Sequence, residues 1–493
     1  MLTKSDFLKF DQCRRRLWLH KKRPDLAMAV DAGRQKVFDD SQLVEKQACR
    51  LYPGIVDASD DNFEEAFRKT EEALKSGAPA IYQPTFRAGA LFCRADILKR
   101  VPTAGGQVAW EIHEIKSSTE IKDYHLLDVA FQRLTLGRVR PQLKLGATKL
   151  LLVNNEYVRH GDIDPVQLLK IEDVTAEVNR LMRSVEASLE PAFGVLRSRV
   201  EPEVLILKQC SRPFDCEFID HCWRDIPEHS VYRLNLDDAD LERCVRRGQI
   251  RLEDVPADLV PGKKAAYYRA QMTGQPQIRP EELRAFLDGL EYPLHYLDFE
   301  TFASPLPPFE GYRPYQNIPF QYSLHIQDEP GGPLRHEQFL ADAYADPAPA
   351  VAAHLAERLA ERGSVIAWNA SFERSCNELL AARSPAHAER LLSANGRLVD
   401  PMLLVRGGAY VDGRFGGSAS LKNVQPVLAP DLSYAELDVR EGGTAQASWP
   451  ILCDQSRPAA ERARLYDQML KYCGLDTLAM QRVVEEFREK CKV

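Results

Sequence analysis

The chain has 493 residues, 44% of them hydrophobic and 28% charged, with a formal net charge of −7. That is too long for one hydrophobic core and ordinary in composition for a multidomain protein in water. No apolar run approaches the roughly 18 residues that a bilayer span needs. No signal-peptide core follows Met1, so a cytoplasmic protein with no membrane partner is expected. The acidic balance argues against a surface coated with positive charge for unspecific nucleic-acid binding, yet it permits a local basic groove. Eleven cysteines, an odd number spread along the chain, argue against a disulfide framework and raise the question of metal or cluster ligation.

Three regions follow in order: 1–227, 228–288 and 289–493. The first alternates helix-like and strand-like stretches such as Lys149-Leu-Leu-Leu-Val153. Early in it stands a basic run, Arg14, Arg15, Arg16, Lys21, Lys22 and Arg23, interleaved with Trp18; a solvated helix face explains it as well as a ligand does. Asp96 is expected on a strand, and Glu114-Ile-Lys116 on the next one. Residues i and i+2 of a strand share a face, so Glu114 and Lys116 point the same way. Asp96 and Glu114 then form a candidate metal pair, with Lys116 placed to polarise water or phosphate. His113 and His125 flank these residues and read more simply as structural histidines. Gln132 falls on a following helix, and Glu45, on the helix through Leu43–Ala48, is a further candidate ligand.

The region closes on Cys210-x5-Cys216-x5-Cys222, while Cys13 stands alone near the start. Thiolates serve zinc and iron–sulfur clusters alike. An acid, then E-x-K, then a helical glutamine, with one early and three late cysteines, resembles the RecB-like PD-(D/E)xK nucleases of CRISPR adaptation and the AddB subunit. The resemblance implies a restriction-endonuclease-like α/β core with helical additions, and a [4Fe–4S] cluster on Cys13, Cys210, Cys216 and Cys222, with Zn²⁺ as the alternative.

Residues 228–288 are charged and helix-like and lack strand signals, which predicts a helical connector. The third region opens on Leu294-His-Tyr-Leu-Asp-Phe-Glu-Thr301, an alternating run with the look of a first strand. It sets Asp298 and Glu300 on one face, and two adjacent carboxylates call for a positive partner, usually a divalent metal. After the strand-like Val365–Trp368 comes Asn369-Ala-Ser-Phe-Glu373, four residues apart on one face if a helix opens there. Tyr472-Cys-Gly-Leu-Asp476 repeats that spacing in a helical segment from Ala459 to Lys490 and sets a phenol beside a carboxylate.

In this order the motifs resemble the DEDD exonuclease superfamily in its tyrosine-containing form. The likeness spans the last 200 residues or so and implies a ribonuclease-H-like mixed sheet flanked by helices. It implies two ions, Mg²⁺ or Mn²⁺, held by Asp298, Glu300, Glu373 and Asp476, with Tyr472 orienting water; Glu373 stands where the family usually has aspartate. Asn369, Lys422 and Arg313 become candidate contacts to nucleic acid, and the aromatics of Gly311–Tyr322 candidate stacking partners for bases. The run His295–His325 is similar to an uncharacterised bacterial family that joins such a domain to a RecB-like one.

The resulting expectation is an α/β multidomain nuclease with two candidate active sites that cleaves DNA, single-stranded or at ends, with RNA left open. A nucleic-acid-binding defence or repair scaffold with one or both sites inactive is a second reading. Hydrolysis of short oligonucleotides or nucleotides is a third.

Overall fold

The computed structural model describes residues 1–103, 105–435, 437 and 442–491. About half of the chain is helical, and the strands form several sheets, so the protein is α/β and multidomain. It divides into two compact units: Met1–Val30, Arg34–Asp225 and Ser304–Tyr315 in one, Asp31–Gly33, Ile226–Ala303 and Gln316–Val493 in the other. Among the described residues, no helix is long and apolar enough to cross a membrane.

The first unit is built on a six-stranded mixed sheet in the order Val56–Asp57, Ala80–Tyr82, Ile97–Pro102, Val108–Lys116, Leu145–Val153, Leu169–Asp173. Val108–Lys116 and Leu145–Val153 run parallel, joined by the crossover helix Asp123–Val139. That helix buries residues all round, because it lies between the sheet and the helices Lys4–Gln12 and Thr175–Arg197. The strand expected to hold Asp96 is broken there: Leu91–Arg94 belongs to a separate three-stranded sheet, and the chain bends at Ala95–Asp96 before Ile97.

The Ser304–Tyr315 segment belongs to this unit because its side chains find their partners in it. Leu306 and Tyr315 pack against Val44, Ile115 and Val153, the Tyr315 hydroxyl donates to Ser117 O at 2.7 Å, and Arg159 donates to Pro307 O and Pro308 O.

The second unit carries a five-stranded sheet in the order Leu334–Leu340, Ile318–Gln327, Leu294–Phe302, Val365–Ile366, Leu398–Val399. Ile318–Gln327 runs antiparallel to both of its neighbours, and the last two strands run parallel to the central one. Leu297 and Phe299 face the helices Ala348–Arg358 and Ala370–Arg383. The 33-residue helix Ala459–Cys491 covers the opposite face, with Met480 and Val484 on Leu294 and Tyr296. The region expected to be a purely helical connector contributes a strand, since Gln277–Ile278 pairs antiparallel with Tyr410–Val411. Two residues are too short for any alternating pattern to declare them.

Candidate metal centre and charged sites

Asp298 and Glu300 project from one face of the central strand Leu294–Phe302. A register shift between Glu300 and Thr301 bends the strand just beyond them. The long helix is fixed over this face by two hydrogen bonds: Gln321 Nε2 donates to Met469 O at 2.7 Å, and Ser323 and Thr477 share hydroxyls at 2.7 Å. Ser323 pairs in register with Asp298, so anchoring Thr477 brings its neighbour Asp476 to the same spot. Oxygens of Asp298, Glu300 and Asp476 all lie within 4.8 Å of one another.

Glu373 enters from the first turn of the helix Ala370–Arg383. It is 2% exposed, and its Oε2 has no hydrogen-bond partner. Burial, then the Asp476 charge, drives Asp298 well above the usual carboxylate range, and burial together with Asp298 does the same to Glu300 and Glu373. Asp476 is pushed up to about 6 by burial, a rise tempered by a hydrogen bond from Tyr434, the charge of Lys422 and a hydrogen bond from Tyr472. The Tyr434 hydroxyl donates to Asp476 Oδ1 at 2.5 Å, and the Cys473 thiol donates to Asp298 Oδ2 at 3.5 Å. Burial and the surrounding acids push the Tyr472 phenol up, which keeps it a donor.

Among the described residues no cationic side chain bonds any of these four acids. An oxygen-only donor set, half-buried at Asp298 and Asp476 and buried at Glu300 and Glu373, with an orphaned carboxylate oxygen, fits a hard divalent cation such as Mg²⁺ or Mn²⁺.

The N-terminal set converges too, but around ammonium groups. Glu114 Oε1 accepts from Lys4 Nζ and from Lys116 Nζ, both at 2.8 Å. Lys116 also donates to Asp128 Oδ2 at 2.5 Å, and Gln132 Nε2 donates to Glu114 Oε2 at 2.8 Å and Asp128 Oδ1 at 3.0 Å. Lys4 Nζ lies 3.8 Å from Asp96 and 4.0 Å from Asp128, the position a cation among these acids would take. Burial would raise Glu114, but Lys116 and Lys4 hold it well below the usual carboxylate range. Asp96 is pushed up to about 8 by burial and by Glu114, and its Oδ2 accepts from Ile115 N at 2.8 Å. The side chains of Asp96, Glu114 and Asp128 thus gather around two ammonium groups, Lys4 and Lys116. Glu45 stands to one side, accepting from the Tyr82 hydroxyl at 2.7 Å.

The four cysteines meet around Cys13, which sits between the helices Lys4–Gln12 and Arg14–Lys22. Each of Cys210, Cys216 and Cys222 feels the charge of Cys13. Arg15 and Arg16 lie against Cys222 and Cys216, so the basic run is partly turned inward. Gln12 Nε2 ties the first helix to Gln209 O and Phe214 O, both at 2.7 Å. No three of the four sulfurs lie within 4.8 Å of one another, wider than the ~3.8 Å spacing imposed by zinc–sulfur bonds of about 2.3 Å.

Arg313 falls in Ser304–Tyr315 and so lies outside the unit that carries the four acids; Tyr312, Phe320 and Tyr322 are buried as core. Asn369 sits in the left-handed region at φ 73° and caps the Glu373 helix, whose first amides bond Asp400. Lys422, on the helix Leu421–Leu428, acts electrostatically on Glu300 and Asp476. His113 is held between Tyr52 and Glu111, and His125 Nδ1 accepts from Lys122 N, so both are structural. Sequence reasoning missed Lys4, Asp128, Tyr434 and Cys473. Only Asp128 carried a signal, its i,i+4 spacing from Gln132.

His325, stacked on His336 at 4.1 Å and bonded to Thr477 at 2.8 Å, is held down to about 3 by burial and by His336. The unfolded chain takes up this proton near the ordinary value of ~6.5, whereas the native state does not. The contribution is complete above that value and is lost as pH falls toward 3, at about 1.4 kcal/mol per pH unit. Urea unfolding of His325→Gln is expected to show a stability–pH slope flatter by this amount between pH 6 and 4 (~2 units of the window). An unchanged slope would place the histidine's proton uptake elsewhere.

A family described as a domain of unknown function (DUF2779) matches residues 295–420. The match takes in Asp298, Glu300 and Glu373 and ends before Lys422, Tyr472 and Asp476. No curated protein matches the chain.

Proposed function

We propose that the chain is a metal-dependent hydrolase of phosphodiester bonds in nucleic acid, acting as an exonuclease of the DEDD type from its 289–493 region. The observation that carries this reading is the convergence of Asp298, Glu300 and Asp476 oxygens within 4.8 Å beside the partnerless Glu373 Oε2. A mixed sheet whose central strand bears the first two acids, with the last acid on a covering helix, agrees with the ribonuclease-H-like fold that the motifs imply.

A divalent ion held there would neutralise the acids and stabilise charge on a phosphoryl oxygen. The chain's own groups do the rest. Tyr472, whose hydroxyl donates to Asp476, offers its oxygen as an acceptor to the attacking water on this reading. Lys422 adds the cation that meets the phosphate. Asn369 lies at the opening of the Glu373 helix, exposed to a strand end. The test is degradation of end-labelled DNA and RNA by purified protein with Mn²⁺, with the Asp298→Asn variant as control.

The first unit we read as a RecB-like domain stapled by a [4Fe–4S] cluster, with Asp96, Glu114, Lys116, Gln132 and Glu45 around a second candidate site. Lys4 favours a resting or inactive state of that site, since its ammonium already neutralises the acids. Lys4→Met removes one of the two ammonium groups that face these acids. In an Asp298→Asn background, Mn²⁺ titration by calorimetry is expected to show affinity at least about tenfold tighter than with Lys4 present, ~1.4 kcal/mol. Equal affinities would show that the ammonium does not exclude the ion.

A further inference from the structure

Between the 226–288 region and residues 402–420, all within the second unit, lies a cavity of about 420 Å³, within the range typical of small-ligand sites. Its floor is apolar, formed by Tyr267, Met402, Val405, Val411 and Phe415, all buried. Its rim is basic and polar: Lys263, Lys264 and Arg406, with Ser418 and Ser420. A second cavity of about 420 Å³ shares Lys263, Arg406 and Gly408 and adds Arg269 and Arg279.

Arg279 pairs with Glu282, and Lys264 donates to Gly417 O. Among the described residues, no carboxylate bonds Lys263, Arg269 or Arg406. Lys263, Arg269 and Arg406 are exposed at this pair of cavities, where an entering anion meets no carboxylate already bonded to them.

The walls are held by internal hydrogen bonds. Gln271 Nε2 donates to Gly413 O at 2.6 Å, Arg279 Nε donates to Gly408 O at 3.1 Å, and Gln277–Ile278 pairs with Tyr410–Val411. Gly417, at φ 73°, lets the chain approach closely: a Cβ there would meet Arg233 O at 3.2 Å and Lys264 Nζ at 3.3 Å.

The cavity is continuous in sequence with the acid centre. Ser418, Ala419 and Ser420 line it. Ser420 is the N-cap of the helix whose second residue, Lys422, acts on Glu300 and Asp476. Trp368 Nε1, just before the Glu373 helix, donates to Ala419 O at 3.0 Å.

We infer that this cavity binds a nucleoside phosphate unit of the substrate strand a few nucleotides from the scissile bond. The base lies on the apolar floor, and the flanking phosphates meet Lys263, Arg406 and Arg269. The inference rests on the nuclease reading and gives its substrate as a polymer instead of a free nucleotide. Phosphate contacts of this kind fix the register of a strand without reading its sequence, and arginine suits them by its fork geometry.

The test is fluorescence anisotropy with a labelled 12-nucleotide single-stranded DNA in EDTA, so that cleavage cannot intervene. Lys263→Glu/Arg406→Glu is expected to weaken binding at least tenfold and to flatten the salt dependence by about 1.4 log units per log unit of salt, the value for two phosphate contacts on a single strand. Lys263→Ala/Arg406→Ala is expected to move both in the same direction by less, and melting curves of both variants exclude misfolding. Wild-type binding left intact by both changes overturns the inference while the nuclease reading stands. A wild-type chain that binds no oligonucleotide overturns both. Thymidine monophosphate serves as the second probe. Saturable binding of it that Lys263→Glu/Arg406→Glu abolishes, with oligonucleotide binding unaffected, overturns the strand assignment in favour of a small-nucleotide site.

Discussion

Asp298→Asn is expected to abolish hydrolysis and, in the absence of metal, to make the protein more stable. The two halves of this result share one cause. Oxygens of Asp298, Glu300 and Asp476 lie within 4.8 Å of one another in a buried site, where a pair of full charges repels by about 3 kcal/mol at an effective dielectric of ~20. Raised pKa values show part of that repulsion already relieved by protonation, so the gain is a fraction of it. A rise in melting temperature of a few degrees in EDTA is expected, at about 2–4 °C per kcal/mol for a unit of this size. Activity moves the other way. Loss of a ligand to the ion that stabilises transition-state charge costs several kcal/mol, and ~4 kcal/mol is about a thousandfold. The measurement pairs cleavage of end-labelled DNA under Mn²⁺ with melting curves taken with and without chelator. A variant that cuts at the wild-type rate, or a wild type that cuts neither DNA nor RNA, removes the basis of the nuclease reading.

Cys13→Ser is expected to strip iron from the protein and to unfold the first unit. We read Cys13 as the early ligand of the cluster; Cys210, Cys216 and Cys222 each feel its charge, and on this reading the set would tie residues about 200 apart in sequence. The energy of a structural metal site is folding energy, about 10 kcal/mol or more, comparable to the ~5–15 kcal/mol that holds a whole domain. Losing it leaves hydrogen bonds from Gln12, Arg15, Arg16, Trp18 and Met28 among the ties to the 198–217 stretch. Anaerobically purified wild type should be brown with bound iron; the variant should be colourless. Limited proteolysis of the variant should cut within 1–225 and spare 316–493. Equal iron and an unchanged digestion pattern would show that the cysteines are inert.

What the sequence disclosed was local periodicity. The alternation of Leu294–Thr301 placed Asp298 and Glu300 on one face, and the four-residue steps Asn369–Glu373 and Tyr472–Asp476 placed their acids at helix positions that the fold brings together. The E-x-K strand and the Gln132 helix were legible for the same reason. Lys4 and Tyr434 were not, because each reaches its partner across a long loop closure: Lys4 meets Glu114 110 residues away, and Tyr434 meets Asp476 42 residues away. No pattern within a window of either residue encodes that meeting. Asp96 was assigned to a strand because Ile97–Pro102 is one; the bend before it is set by the change of sheet, a tertiary event. Arg313 was grouped with the acids by sequence proximity, whereas Leu306 and Tyr315 carry its segment into the first unit by apolar burial.

That last segment has a bearing on descent. Because Ser304–Tyr315 folds with residues 34–225 although it follows the strand of Asp298 and Glu300, the two units are not beads on a string that recombination can exchange at one breakpoint. A crossover anywhere in 226–303 would hand the recipient a first unit missing its final segment and a second unit trailing an orphan loop with Leu306 and Tyr315 stripped of cover. The coding sequence of the two units is therefore expected to be inherited as one block.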